Sequence, residues 1–210
     1  MSRDYASDAH FAGRFNASDA VMDAARTLAA EYHTAPISRT SAAALTLLTS
    51  LTSPAAAIEV GTGTGTSTLA IMKGMPRMGV LTSIDTDADR QSVARDLLDV
   101  AEIGRHRVRM IAGRGEDVLA RLALGGYELV FIDADPLTYS RVVPLAIDRL
   151  AAGGLLVVNR TLLGGEIANP AMRTPRANAL RTMFSSLEDS PLDRLLLPID
   201  DGLLVLRKPR

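Results

Sequence analysis

The sequence predicts a single doubly wound α/β domain: a mostly parallel sheet covered by helices on both faces. Three observations predict it. First, the short apolar runs AAAIEV, GVLTSID, RVRMI, YELVFID and GLLVV alternate with amphipathic stretches near 66–73, 87–101, 115–123 and 138–149. Strands buried on both faces and spaced by helices read this way. Second, a glycine-rich segment lies where the first run hands over to a helix. Third, 210 residues with 47% hydrophobic content suit one sizeable core and are short for two domains.

The elements follow in chain order. From Ser18 to His33, Val21, Met22, Ala25, Leu28, Ala29 and Tyr32 recur at helical spacing, with Ser18 and Asp19 as candidate N-caps. Pro36 breaks that pattern, so residues 1–35 read as an N-terminal helical extension and 36–210 as the domain proper. A second helix is expected from Ser38, carrying Ala42, Leu45, Leu48 and Leu51 on one face and stopped by Pro54. The strand–helix alternation then begins. It ends with a helix near 176–188, followed by RLLLPI and LLVLRK around Asp200-Asp201-Gly202, a tight hairpin signal. The sheet should therefore finish with an antiparallel strand.

Composition removes several function classes. A formal net charge of -1 gives no electrostatic reason to expect a nucleic-acid or acidic-membrane partner. With no cysteine, a disulfide scaffold, a cysteine zinc site and a cysteine nucleophile are excluded. No apolar run approaches the roughly 20 residues that span a bilayer. The N-terminus lacks the apolar core of a signal peptide, so a cytoplasmic protein without a membrane partner is expected.

The chemistry concentrates at Ile58-Glu59-Val60-Gly61-Thr62-Gly63-Thr64-Gly65-Thr66-Ser67. Glycines at a strand-to-helix junction let the backbone turn sharply and approach a ligand, and the helix start presents free N–H groups. A dinucleotide fingerprint, G-x-G-x-x-G, would need its third glycine at Thr66. The pattern is instead E-x-G-x-G-x-G, whose upstream carboxylate repels a pyrophosphate and suits a cation such as an amino group. Asp85, twenty residues past Gly65 at the second strand's end, can accept both hydroxyls of a ribose. Asp87 is the better cap for the next helix, leaving Asp85 for the ligand. Gly113-Arg114-Gly115-Glu116 follows the third strand and could border an adenine. Asp133 ends the fourth strand in FIDADP, at the point where such sheets bind ligands.

Together these residues resemble the O-methyltransferase family that includes catechol and caffeoyl-CoA O-methyltransferases. AIEVGTGTGTSTLAI resembles its glycine motif, TSIDTDADR its ribose-binding strand end, and ELVFIDADPLTY its fourth-strand motif, with Tyr139 six residues after Asp133. The resemblance implies a seven-stranded sheet with a reversed last strand and S-adenosylmethionine as cofactor. It places Glu59 toward the methionine amino group, and Gly61, Thr62, Gly63 and Gly65 along the methionyl-ribose segment. Ser67 would take the carboxylate and Asp85 the ribose. Ile37 would touch the cofactor through its backbone, Gly113, Arg114 and Gly115 would flank the adenine, and Asp133 would belong to the cofactor wall as well. It also implies a small-molecule methyl acceptor and a homodimer in which the N-terminal segment takes part.

The sequence departs from that family at the acceptor. Members bind a divalent cation through the FIDA aspartate, here Asp133, and an Asp-Asn pair ending strand five, where this chain has Asn159-Arg160. The family's lysine base, three residues after the first ligand, is Pro136. No metal site is therefore expected: one anionic ligand becomes a neutral amide, and a fixed cation enters the shell. At an effective dielectric near 20, a guanidinium about 5 Å from a divalent ion repels it by roughly 6–7 kcal/mol. A micromolar affinity is worth only about 8 kcal/mol. Asp133, Tyr139 and Arg160 are the catalytic candidates, Arg160 as a replacement for the ion's charge. Asp135 and His33 also stand open as bases. Three functions remain at this stage: an O-methyltransferase for a small hydroxyl compound, aromatic ones included; a cofactor-binding protein that has lost catalysis; and, against Thr66, an NAD-dependent oxidoreductase.

Overall fold

A computed structural model describes residues 5–16 and 18–210. The seven strands are β1 (Ala56–Val60), β2 (Val80–Asp85), β3 (Val108–Ala112), β4 (Tyr127–Ile132), β5 (Leu150–Val158), β6 (Asp193–Leu197) and β7 (Leu203–Arg207). They form one sheet in the order β3-β2-β1-β4-β5-β7-β6. β1 to β5 run parallel, and β7 is antiparallel to both β5 and β6. The reversed strand follows from the hairpin. Asp200 and Gly202 take left-handed backbone there (φ 50° and 93°), so the chain doubles back from β6 into β7.

Alternation along each strand divides the core in two. Ala57, Leu81, Leu129, Phe131 and Val157 point to one face. Ile58, Ile84, Val130, Ile132 and Leu156 point to the other. Helices α2 (Ala20–Glu31), α3 (Arg39–Thr52), α4 (Thr66–Gly74) and α5 (Ala88–Val100) cover the first face through Met22, Leu45, Leu69 and Leu97. Helices α6 (Gly115–Leu119), α7 (Tyr139–Arg149) and α8 (Pro175–Leu187) cover the second through Leu119, Val143 and Leu180. This is the double winding expected from the sequence. Among the described residues no helix is long and apolar enough to cross a membrane.

Local chemistry accounts for the helix starts. Asp19 caps α2, accepting from the Met22 N–H at 2.8 Å, while Ser18 donates instead to Asp23. Ser38 caps α3, and Asp87 caps α5 by accepting from Asp89 and Arg90 N–H. One expectation is corrected. Leu51 is 81% exposed, not on the buried face of α3. Six residues past Leu45, at 3.6 per turn, it has rotated about 240° away, whereas Thr49 stays on the buried side. Residues 5–15 form a further helix, α1 (Tyr5–Phe15), within the N-terminal extension; none of its residues 6–15 is buried.

Candidate active site

The strand order reverses between β1 and β4, so the loops leaving these strands diverge and open a cleft at their C-terminal ends. The cleft there is a cavity of about 680 Å³. That lies within the usual range for a small-molecule site, roughly 300–1,000 Å³.

One end is built on the glycine loop after β1. Gly61 has φ 101°, and its N–H donates to the Ile84 carbonyl at 2.8 Å. A Cβ there would stand 2.0 Å from the Asp133 carbonyl oxygen, so only glycine lets the loop cross the end of β4. Gly65 (φ 92°) leads into α4, where a Cβ would meet Ala94 of α5 at 2.9 Å. The Gly63 N–H donates to Asp85 Oδ2 at 2.8 Å, and the Asp87 N–H donates to Oδ1 at 2.9 Å. Asp85 is thus not free, as the sequence suggested. Two backbone donors hold it, and its remaining lone pairs line the cavity. Thr66 Oγ1 is buried without a partner among the described residues, and Thr66 and Ser67 at the start of α4 both line the cavity.

Behind the loop lies a buried polar network. Glu59, expected to face a ligand amino group, is fully buried and is not among the residues that line the cavity. Its Oε2 accepts from Thr68 and Ser83 hydroxyls, each at 2.6 Å. Burial raises its pKa to about 7, against the pull of the Ser67, Ser83 and Thr68 hydroxyls. Ser83 also bonds Thr62 of the loop at 2.7 Å, and the Gln91 amide of α5 donates to Thr62 at 3.2 Å. Glu59 therefore holds the loop in place from beneath. Sequence reading missed Gln91, although a polar residue three before Ala94 on the buried face of α5 was a usable signal.

Gly113 to Glu116 also line this end. The Gly113 N–H donates to the Asp85 carbonyl at 2.8 Å, and a Cβ on Gly115 would meet Val60 at 2.6 Å. Arg114 pairs with Glu116 at 2.6 Å. Ile37, 4% exposed, also lines the cavity.

The other end, at β4 and β5, is made of ion pairs. Arg160 Nε lies 2.8 Å from Asp133 Oδ1, without the alignment of a hydrogen bond. Its Nη2 donates to the Ala35 carbonyl at 2.8 Å. Burial pushes the Asp133 carboxyl up, and the Arg160 guanidinium and the Asn159 amide draw it back. Arg176 of α8 straddles Asp135, at 2.9 and 3.2 Å, and holds that carboxyl below its usual range. Pro136 is buried in the turn between them. Tyr139, expected to be catalytic, does not line the cavity. It is fully buried, and its hydroxyl is shared between the Asn159 carbonyl at 2.9 Å and the Ala134 carbonyl at 3.1 Å. Burial pushes its phenol well above the ordinary range. It ties the ends of β4 and β5 together.

His33 sits at the rim, exposed, in the turn after α2. Arg176 and Asp201 complete this wall. Sequence reading missed both as site residues: Arg176 lies in no motif, and Asp201 was read only as part of the hairpin. Among the described residues no three His, Cys, Asp or Glu side chains converge as metal ligands. Asp133 is the one carboxylate at the three positions in question, and a guanidinium stands on it, so these residues do not fit a divalent ion.

The profile of the O-methyltransferase family matches residues 18–209. A Mycobacterium sp. (strain KMS) protein named as a candidate O-methyltransferase is 40% identical over 187 residues, 89% of this chain and 85% of that protein. A Mycobacterium leprae (strain TN) protein named in the same way is 40% identical over 89% of this chain and 84% of its own. A solved Corynebacterium glutamicum structure superposes with a TM-score of 0.89 at 29% identity, covering 99% of this chain and 98% of that one. The O-methyltransferase TomG of Streptomyces achromogenes, solved with S-adenosylmethionine, shares the fold with a TM-score of 0.87 at 21% identity, each chain covered fully. The chain belongs to the O-methyltransferase family.

Proposed function

We propose that this protein transfers a methyl group from S-adenosylmethionine to a hydroxyl of a small acceptor, and that it does so without a divalent metal. The observation that carries the cofactor half is the pair of backbone donors that fix Asp85 beside the glycine loop. A carboxylate held there can accept two ribose hydroxyls. Gly61, Gly63 and Gly65 admit the chain of the ligand close to the backbone, and Ser67 and the unpartnered Thr66 hydroxyl supply donors at the start of α4. The cofactor's sulfonium supplies an activated methyl group; the protein's remaining task is positioning. Arg160 then holds the acceptor oxygen where the family would use an ion.

Two titrations test this. Calorimetry should show S-adenosylmethionine binding and no binding of NADH. A methyl-transfer screen over phenols and catechols should give product in excess chelator as readily as in magnesium. A magnesium dissociation constant below about 10 μM, or activity abolished by chelator, overturns the metal-free half. Cofactor binding without transfer to any acceptor favours a sensor or assembly partner, the reading that Pro136 in the base position supports. We extend the proposal to a homodimer, for which Phe11 and Phe15 of α1, stacked at 6.4 Å and 71% and 80% exposed, offer an apolar face. A monomer mass by light scattering at micromolar concentration counts against it.

A further inference from the structure

The acceptor end of the cavity is rich in charge, but its inner carboxylates are already engaged. Asp133 is taken by Arg160, and both oxygens of Asp135 are taken by Arg176, with the Leu137 N–H on Oδ1 as well. The remaining titratable groups lining this end, His33 and Asp201, are exposed at the rim. Arg160 itself is different. It adopts left-handed backbone (φ 56°), a strain that persists only where surroundings over-determine it and that clusters at ligand clamps. Nε faces Asp133 and Nη2 faces the Ala35 carbonyl. Among the described residues no acceptor stands on Nη1. The side chain remains 30% exposed and lines the cavity.

We propose that the natural acceptor is an acidic hydroxyl compound, a phenol or enol already ionised near neutral pH, and that Arg160 receives its oxyanion. This rests on the methyl-transfer reading above. An ordinary phenol has a pKa of about 10 and keeps its proton near neutrality, and the two inner carboxylates at this end are engaged by Arg160 and Arg176 rather than free to take it. An acceptor with its own pKa near or below 7 has given its proton to water before it binds, and needs no base. Its oxygen lone pair then forms the new O–C bond as the methyl–sulfur bond breaks. That bond's electron pair stays on sulfur. An anion and a sulfonium become a neutral ether and a neutral thioether, and no proton moves in the step. Arg160 fits this chemistry because a guanidinium stays charged and directs N–H groups at an oxyanion without taking its proton.

The test uses the full chain and a phenol series from phenol to 4-nitrophenol to pentafluorophenol, in chelator. kcat/KM at pH 7.5 should rise roughly tenfold or more from phenol to 4-nitrophenol, following the fraction of acceptor ionised, and should rise no further to pentafluorophenol, which is already ionised and is the weaker nucleophile. The pH inflection should move with each acceptor's own pKa. An inflection fixed across the series, and removed by His33→Gln, would identify an enzyme base and overturn the proposal. A second readout does not depend on catalysis. The visible absorbance of 4-nitrophenol, titrated against pH with S-adenosylhomocysteine present, reports ionisation of the bound acceptor. Wild type should bind the ionised form and lower its apparent pKa, and Arg160→Gln should lose that shift while keeping its affinity for S-adenosylhomocysteine. No shift in wild type, or the same shift in Arg160→Gln, overturns the role of Arg160. Absent methyl transfer with the absorbance shift intact would sink the methyl-transfer reading alone.

Discussion

The two ends of the cavity rest on neighbouring strand ends of one sheet and are built by different means. At the glycine-loop end the contacts are largely backbone: Gly63 N–H on Asp85, Gly113 N–H on the Asp85 carbonyl, Gly61 pressed against the Asp133 carbonyl. At the acceptor end they are side-chain ion pairs, Arg160 with Asp133 and Arg176 with Asp135. A backbone site is bound to the fold, because changing it means changing φ and ψ. A charge pair can be exchanged with little effect on the strands that carry it. The difference fits a chain that keeps the glycine motif and yet carries Asn159-Arg160 and Pro136 where the resemblance implies ligands and a base.

Gly61→Ala should break the first end outright. The added Cβ overlaps the Asp133 carbonyl and demands φ near 100° of an L residue. Overpacking and strain together should cost about 3 kcal/mol or more. In a chain of this size that lowers Tm by roughly 6–12 °C, which calorimetry can check. An unchanged Tm would mean that the loop is softer than its backbone contacts imply.

Glu59 gives the next effect and a pH signature. Its folded pKa of about 7 lies above the ordinary 4.5, so the folded state binds a proton more tightly than the unfolded state. Stability therefore falls as pH rises from about 4.5 to 7, and levels off above. Between pH 5 and 8 this contributes about 2.5 kcal/mol. Glu59→Gln should remove that contribution, seen as the difference between wild-type and variant urea unfolding curves across the range. A constant difference would exclude an elevated pKa.

Asp85→Ala should weaken S-adenosylmethionine binding by about 1–3 kcal/mol through two lost charge-assisted hydrogen bonds. Unchanged affinity in calorimetry, with the fold intact, removes Asp85 from the site. At the acceptor end, Tyr139→Phe sharpens the contrast. It should cost about 1–2 kcal/mol of stability, since the buried Asn159 carbonyl and the part-buried Ala134 carbonyl lose their donor. The pH profile of methyl transfer should stay in place. A displaced profile would return Tyr139 to the reaction.

The same contrast governs what could be read from sequence. The strands announced themselves because residues buried on both faces must be apolar, and Asp87, Ser38 and the Asp200–Gly202 turn announced themselves because caps and tight turns select residue types. Glycine-loop positions were legible for the same reason. The bounds of helix α1 were not, because none of its residues 6–15 is buried to impose a period. The motif position of Tyr139 is visible in sequence, whereas its burial is not. Glu59 was assigned to a ligand when three hydroxyls behind the loop surround it. The Asp135–Arg176 pair joins residues 41 apart on elements whose docking no local pattern encodes.

The two backbone donors on Asp85 have a kinetic consequence. With Gly63 and Asp87 N–H groups already in place, the carboxylate and the loop do not wait for a ligand to order them. The ordering entropy is spent during folding, so it is not charged against association. Cofactor capture should then proceed as a rigid-body encounter, single-exponential and linear in cofactor concentration. Residence time, rather than on-rate, would separate tight from weak variants.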